Sequence, residues 1–127
     1  MTDRFDHLFI APRDFAASLA FYRDILGMEV TASWGGDGEP RGAMLRRGGV
    51  ALVLAEPHDE KADHAWREGR RGHAPTLHLS VEGLSERFAE IPPGDHVRIA
   101  PEATHWGAEW FVLEDPDGNM IAFNEAK

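Results

Sequence analysis

The chain of 127 residues has no cysteine, a single tyrosine and only 13 basic residues against 22 acidic ones. Each shortage removes a class of explanation. Without cysteine there is no disulfide framework, no thiolate metal site and no thiol nucleophile. A formal charge of −9 argues against a general nucleic-acid binder, which needs a basic surface to displace counterions. No apolar run approaches the roughly 20 residues that span a bilayer. The N-terminal MTDRFDH lacks the charged-then-apolar layout of a signal peptide. A cytoplasmic protein with no nucleic-acid and no membrane partner is expected. No serine stands in a G-x-S-x-G elbow. The glycine-rich Gly35-Gly36-Asp37-Gly38 has no lysine or following helix, so it reads as a hairpin turn and not as a phosphate loop.

What is present repeats. Shifted by 69 positions, the sequence superposes on itself in hydrophobic period and turn placement. Phe5–Ile10 falls on Ala74–Leu79. The helical positions Phe15, Leu19 and Tyr22 fall on Leu84, Phe88 and Ile91, and Arg46–Glu56 falls on Asp115–Glu125. Few residues are identical in this register.

Each copy reads as β-α-β-β-β. Phe5–Ala11 alternates as a strand, and Asp14 caps a helix to about Leu26, closed by Gly27. Strands follow at Met28–Trp34, Arg41–Arg47 and Val50–Ala55. In the second copy, strands are expected at Pro75–Val81, His96–Ala100, Trp110–Glu114 and Asn119–Asn124. Its helix, Leu84–Ile91, is stopped by Pro92-Pro93-Gly94. Asp115-Pro116-Asp117-Gly118 has the residues of a tight turn. The polar, His-rich segment 57–73 is expected to link a first module at about 4–56 to a second at about 74–125, with a short exposed helix at Ala62–Arg70.

These motifs, FDHLFIAPRDFAASLAFYRDILGMEV at the start and HWGAEWFVLEDPDGNMIAFNE at the end, resemble the vicinal oxygen chelate superfamily of glyoxalase I, ring-cleaving dioxygenases and bleomycin-resistance proteins. The likeness covers essentially the whole chain, residues 1–127. It implies one α+β domain of two tandem βαβββ modules, forming a curled mixed sheet around a shared cavity. Metal-dependent members carry His or Glu on the first and last strand of each module. Those four positions land here on His7, Val53, Thr76 and Ala122. Valine and alanine have no donor atom, and catalytic zinc or iron needs about three protein ligands. No metal or other cofactor is therefore expected.

A relocated site remains the alternative. His78 lies two residues beyond Thr76, about 7 Å further along the same strand face. Glu56 and Glu125 lie three residues past the inherited position, an odd offset that turns a side chain to the opposite face. A His7/His78/Glu125 set would suit a glyoxalase- or extradiol-dioxygenase-like metalloenzyme. A further option is a metal-free lyase or isomerase with His7 as base. His58, His64 and His73 fit no metal-ligand spacing.

Strand parity places His7, Phe9, Thr76, His78 and Ser80 with Ala51, Val53, Ala55, Met120, Ala122 and Asn124 on the cavity wall. That wall is mostly apolar with a few polar anchors, as small-molecule sites are. Trp34, Trp106 and Trp110 add aromatic surface for a planar or cationic ligand, and Trp66 reads as a local anchor in the linker. The WGAEWF segment is similar to the W-G-x-x-x-F element of bleomycin-resistance-like members, which sequester ligands without metal chemistry. The reading is a metal-independent small-molecule binder. Its ligand residues are His7, Phe9, Trp34, Val53, Thr76, His78, Trp106, Trp110, Ala122 and Asn124, and the resemblance implies a homodimer.

Overall fold

The structure is a computed structural model that describes residues 2–56 and 75–126. The expected linker helix at 62–70, the three linker histidines, Trp66 and Ala74 lie outside the described residues. The chain divides into two compact units, Met1–Gly72 and His73–Lys127. The first contains β1 (Leu8–Ile10), α1 (Phe15–Ala20) running into a π-helical turn (Phe21–Ile25), β2 (Glu29–Gly36), β3 (Glu39–Arg47) and β4 (Val50–Ala55). The second contains β5 (Leu77–Ser80), α2 (Leu84–Ala89), β6 (Val97–Ala103), β7 (Ala108–Glu114) and β8 (Met120–Ala126). The sheets have matching orders, β1-β4-β3-β2 and β5-β8-β7-β6. In each, the first strand runs parallel to the last and the other pairs are antiparallel. The fold is thus α+β, two tandem modules each with an open four-stranded mixed sheet and a helix.

The parallel pairs keep the 69-residue shift: Leu8 faces Leu52, and Leu77 faces Ile121. The third strands do not. Gly42 pairs with Ala55, but Trp110 pairs with Asn124, so β7 is displaced from β3 by 68 residues. The cause lies in the following turn. Four residues separate Arg46 from its partner Ala51, and five separate Glu114 from Met120. A strict shift of 69 would have given Gly42's place to Phe111. Because a one-residue slip reverses strand faces, the longer turn moves Trp110 onto the face of Asn124 and Phe111 into the core.

Asp14 caps α1 as the sequence implies, its Oδ1 accepting from the Ala17 N–H at 3.0 Å. The expected regular helix to Leu26 instead widens after Ala20. Leu26 N–H bonds to Phe21 C=O, a five-residue step, and Met28 N–H bonds to Tyr22 C=O. The wide turn lets the adjacent Phe21 and Tyr22 both be buried, together with Leu26 and Met28. They pack with Phe15, Leu45, Leu52 and Leu54 as the core of the first unit. In the second unit, Leu84 and Ile91 join Phe111, Leu113, Ile121 and Phe123. The rings of Phe111 and Phe123 stack at 4.5 Å and 12°.

Several strand ends also differ from expectation. The first strand of each module is shorter. Gly35 and Gly36 belong to β2, leaving only Asp37 (φ 52°) and Gly38 (φ 93°) as the two-residue turn. Strand β6 runs through Pro101 to Ala103, because an edge strand tolerates proline. Strand β7 starts at Ala108, so Trp110 is its third residue and does not begin it.

The repeat-related Glu56 and Glu125 do different work on the helix-facing side. Glu56 accepts from the Arg41 backbone N–H (2.7 Å), Nε (3.0 Å) and Nη2 (3.2 Å), and the Arg41 guanidinium lies 5.0 Å over the Phe15 ring. Side-chain hydrogen bonds from Arg41, then its backbone N–H, hold the Glu56 carboxyl below its ordinary 4.5. A carboxyl lowered in the folded state contributes stability that is complete above that ordinary value and is lost as pH falls through the lowered one. The pair is partly exposed, so the effect is modest. The difference in Tm between the wild type and Glu56→Gln should therefore narrow as pH is lowered from about 7 to about 3. A constant gap across that range would show that Arg41 does not act on the charge of Glu56.

Candidate functional site

In each unit the helix covers one sheet face, and alternation along the strands defines the residues of the other. In the first unit, Phe9, Val53 and Met44 form one cross-strand row, and Ala55, Gly42 and Trp34 form the next. In the second unit the matching rows are His78, Ala122 and Val112, then Ser80, Asn124, Trp110 and Glu102. His7 and Thr76 immediately precede β1 and β5. Nine of the ten expected ligand residues therefore fall on or at the end of these helix-opposed faces. Trp106 lies in the turn between β6 and β7, beside Trp110.

Val53 and Ala122 occupy equivalent places on the central strands, both buried, and neither carries a donor atom. The residues present do not fit a divalent ion at the four inherited metal positions. Among the described residues, no three His, Asp or Glu side chains gather so as to hold one. Glu125, the carboxylate a relocated site would need, is already committed. Its oxygens accept from the backbone N–H of Gly83 (2.6 Å) and Leu84 (3.2 Å), satisfying amides at the start of α2. Gly83, with φ 71°, has no side chain to cap that helix itself. Reaching from β8 to α2 also places Glu125 on the helix side, away from His78.

Three side-chain contacts involve polar groups of the helix-opposed faces. His7 Nδ1 lies 2.5 Å from Asp6 Oδ2. Asn124 Nδ2 donates to His78 Nδ1 at 3.2 Å, and Trp110 Nε1 donates to Glu102 Oε1 at 3.1 Å.

The two indoles occupy the same row by different routes. In the first unit, Trp34 comes from edge strand β2 and lies across Gly42. A Cβ at Gly42 would stand 2.1 Å from the indole Cε2. In the second unit, Trp110 stands at the Gly42 position itself, and Glu102 takes the place of Trp34. Each face thus carries one indole over the same part of its sheet. Trp34 is 43% exposed and Phe9 40%, so aromatic surface is presented and not merely packed.

Sequence reasoning missed Gly42, Met44, Val112 and Glu102. An isolated glycine inside a strand signals close approach by another group, which would have found Gly42. Glu102 was hidden by Pro101, taken as the end of its strand. A shallow depression of about 490 Å³ lies beside the β2–β3 turn, lined by residues 36–41 and Glu56, and touches none of the expected ligand residues. No helix among the described residues is long and apolar enough to cross a membrane.

Known structures share this arrangement along the whole chain. A protein of unknown function from Agrobacterium tumefaciens str. C58 is 23% identical, with a TM-score of 0.71, over 100% of this chain and 97% of its own. UcmS2 is 25% identical, with a TM-score of 0.71, over 98% of each chain. A glyoxylase/bleomycin resistance protein/dioxygenase domain from Frankia sp. EAN1pec is 20% identical, with a TM-score of 0.69, over 100% of this chain and 94% of its own. No curated protein matches. The family model of the Glyoxalase/Bleomycin resistance protein/Dioxygenase superfamily matches residues 4–123, and the chain belongs to that superfamily.

Proposed function

We propose that this chain binds and sequesters an aromatic or cationic small molecule without a metal ion, using the helix-opposed sheet faces. The observation that carries the reading is the replacement of donor atoms by apolar side chains at Val53 and Ala122, on faces that each present an indole. Glu125 supports it, since its carboxylate is spent on the amides of α2. The acidic balance of the chain favours a cation.

The test joins two measurements. Elemental mass spectrometry of protein purified without chelator or tag should find only trace metal, unchanged after incubation with iron, zinc, nickel or manganese. Planar cationic compounds should quench tryptophan fluorescence with saturation, equally with and without EDTA. In Gly42→Val, which forces Trp34 off the sheet, affinity should fall about ten-fold, the scale of one lost aromatic stack. About one equivalent of metal whose removal abolishes binding would overturn the proposal and restore the metalloenzyme. A metal-free lyase or isomerase draws on the Asp6–His7 contact, which orients one ring nitrogen of a candidate base. It requires a turnover that His7→Ala removes while ligand binding persists. We also propose a homodimer, to be tested by light scattering at micromolar concentration.

A further inference from the structure

We propose that the β6–β7 hairpin carries a subsite for a quaternary ammonium group, formed by Trp106, Trp110 and the Glu102 carboxylate. It rests on the binding reading above and names the ligand chemistry of the second unit. The rings of Trp106 and Trp110 are 5.2 Å apart and nearly perpendicular, at 85°. His105 stands at 89° to Trp106, 4.8 Å away. The edge of one indole lies on the face of the other, and the corner beside this contact is bounded by the part of each π face left uncovered; the face of an aromatic ring is its electronegative part. Trp110 Nε1 donates to Glu102 Oε1 at 3.1 Å, which fixes the ring and holds a carboxylate beside it. The arginine of the same strand, Arg98, is engaged by Glu114 at 2.8 Å.

Core packing does not account for this cluster. Trp106 is 53% exposed at a hairpin tip. Nor is the tip loosely built. Thr104 Oγ1 donates to Ala108 C=O and accepts from Ala108 N–H, while Thr104 N–H bonds to Ala108 C=O. Gly107, at φ 86°, makes the turn. The indoles are thus set in place before a ligand arrives, which reduces the ordering cost of binding. A methylated ammonium is weakly hydrated and spreads its charge over apolar methyl groups, so it loses little water on entering such a corner. A neutral ligand of the same shape keeps the dispersion contacts with the rings but lacks the cation–π attraction and the attraction of the carboxylate.

The experiment compares choline with its neutral isostere 3,3-dimethylbutan-1-ol, following the indole N–H resonances of ¹⁵N-labelled protein. Choline should shift the Trp106 and Trp110 signals saturably and leave Trp34 unmoved, with about ten-fold tighter binding than the isostere. Glu102→Gln keeps an oxygen for Trp110 but removes the charge, and should weaken choline binding about five-fold. Trp106→Ala should abolish the response while the remaining indole signals stay dispersed, as in a folded protein. Equal binding of the isostere, or equal shifts at Trp34, would overturn the subsite. If choline has no effect while planar compounds still quench fluorescence, the subsite fails and the broader binding reading stands. If choline binds selectively but removing a bound metal abolishes that binding, the subsite stands and the metal-independent reading fails.

Discussion

Phe111→Ala should lower the stability of the protein by about 3–5 kcal/mol, the range for deleting a buried aromatic ring. Phe111 is fully buried on the central part of the second sheet. Its ring stacks on Phe123 at 4.5 Å and takes the Phe88 ring at 5.0 Å and 64°. Alanine would remove the transfer energy of the ring and leave a cavity between α2 and β8 that rigid strands cannot close. Tm should fall by roughly 10–20 °C for a chain of this size. Phe111→Leu keeps much of the apolar volume and loses the ring contacts, so it should cost about 1–2 kcal/mol. Urea unfolding monitored by circular dichroism would measure both. A loss below about 1 kcal/mol in the alanine variant would mean that Phe111 is not packed as described. Such a result would also undermine the register that places Trp110 on the opposite face.

Asp115→Ala should cost about 3 kcal/mol, from the loss of hydrogen bonds to a buried acceptor. Asp115 is 4% exposed. Its Oδ1 accepts from the backbone N–H of Asp117 (2.9 Å) and Asn119 (2.8 Å), and its Oδ2 from Asn119 Nδ2 (2.9 Å). The five-residue turn from β7 to β8 is thus wound around one carboxylate. With alanine, two backbone donors lose their partner. Asp115→Asn keeps an oxygen for both and should cost only about 1 kcal/mol. The comparison is read from denaturant midpoints at constant pH. Equal losses in the two variants would show that the carboxylate oxygens do not organise the turn. Because this turn holds the additional residue that displaces β7, the alanine variant should also weaken ligand binding at Trp110 more than at Trp34.

Much of this architecture was legible from local pattern. The periods of two and 3.6 identified eight strands and two helices, and the 69-residue shift placed Leu77 and Ile121 where Leu8 and Leu52 stand; that these residues face one another on parallel strands came from the structure. Asp14 and the Asp115 turn were legible because a cap or turn acts on amides within a few residues of itself. That Val53 and Ala122 carry no donor atom was equally plain from the sequence.

What the sequence determined by itself was the class of fold, the repeat, the local turns and the residue types at Val53 and Ala122. The tertiary structure alone decided which side chains meet. Register is fixed only when strands pair, and one additional residue in the β7–β8 turn was enough to exchange Trp110 and Phe111 between faces. Glu125 capping Gly83 spans 42 residues, and Trp34 over Gly42 requires two strands in register. Such contacts depend on pairing and packing across the sheet, where no local period carries the information.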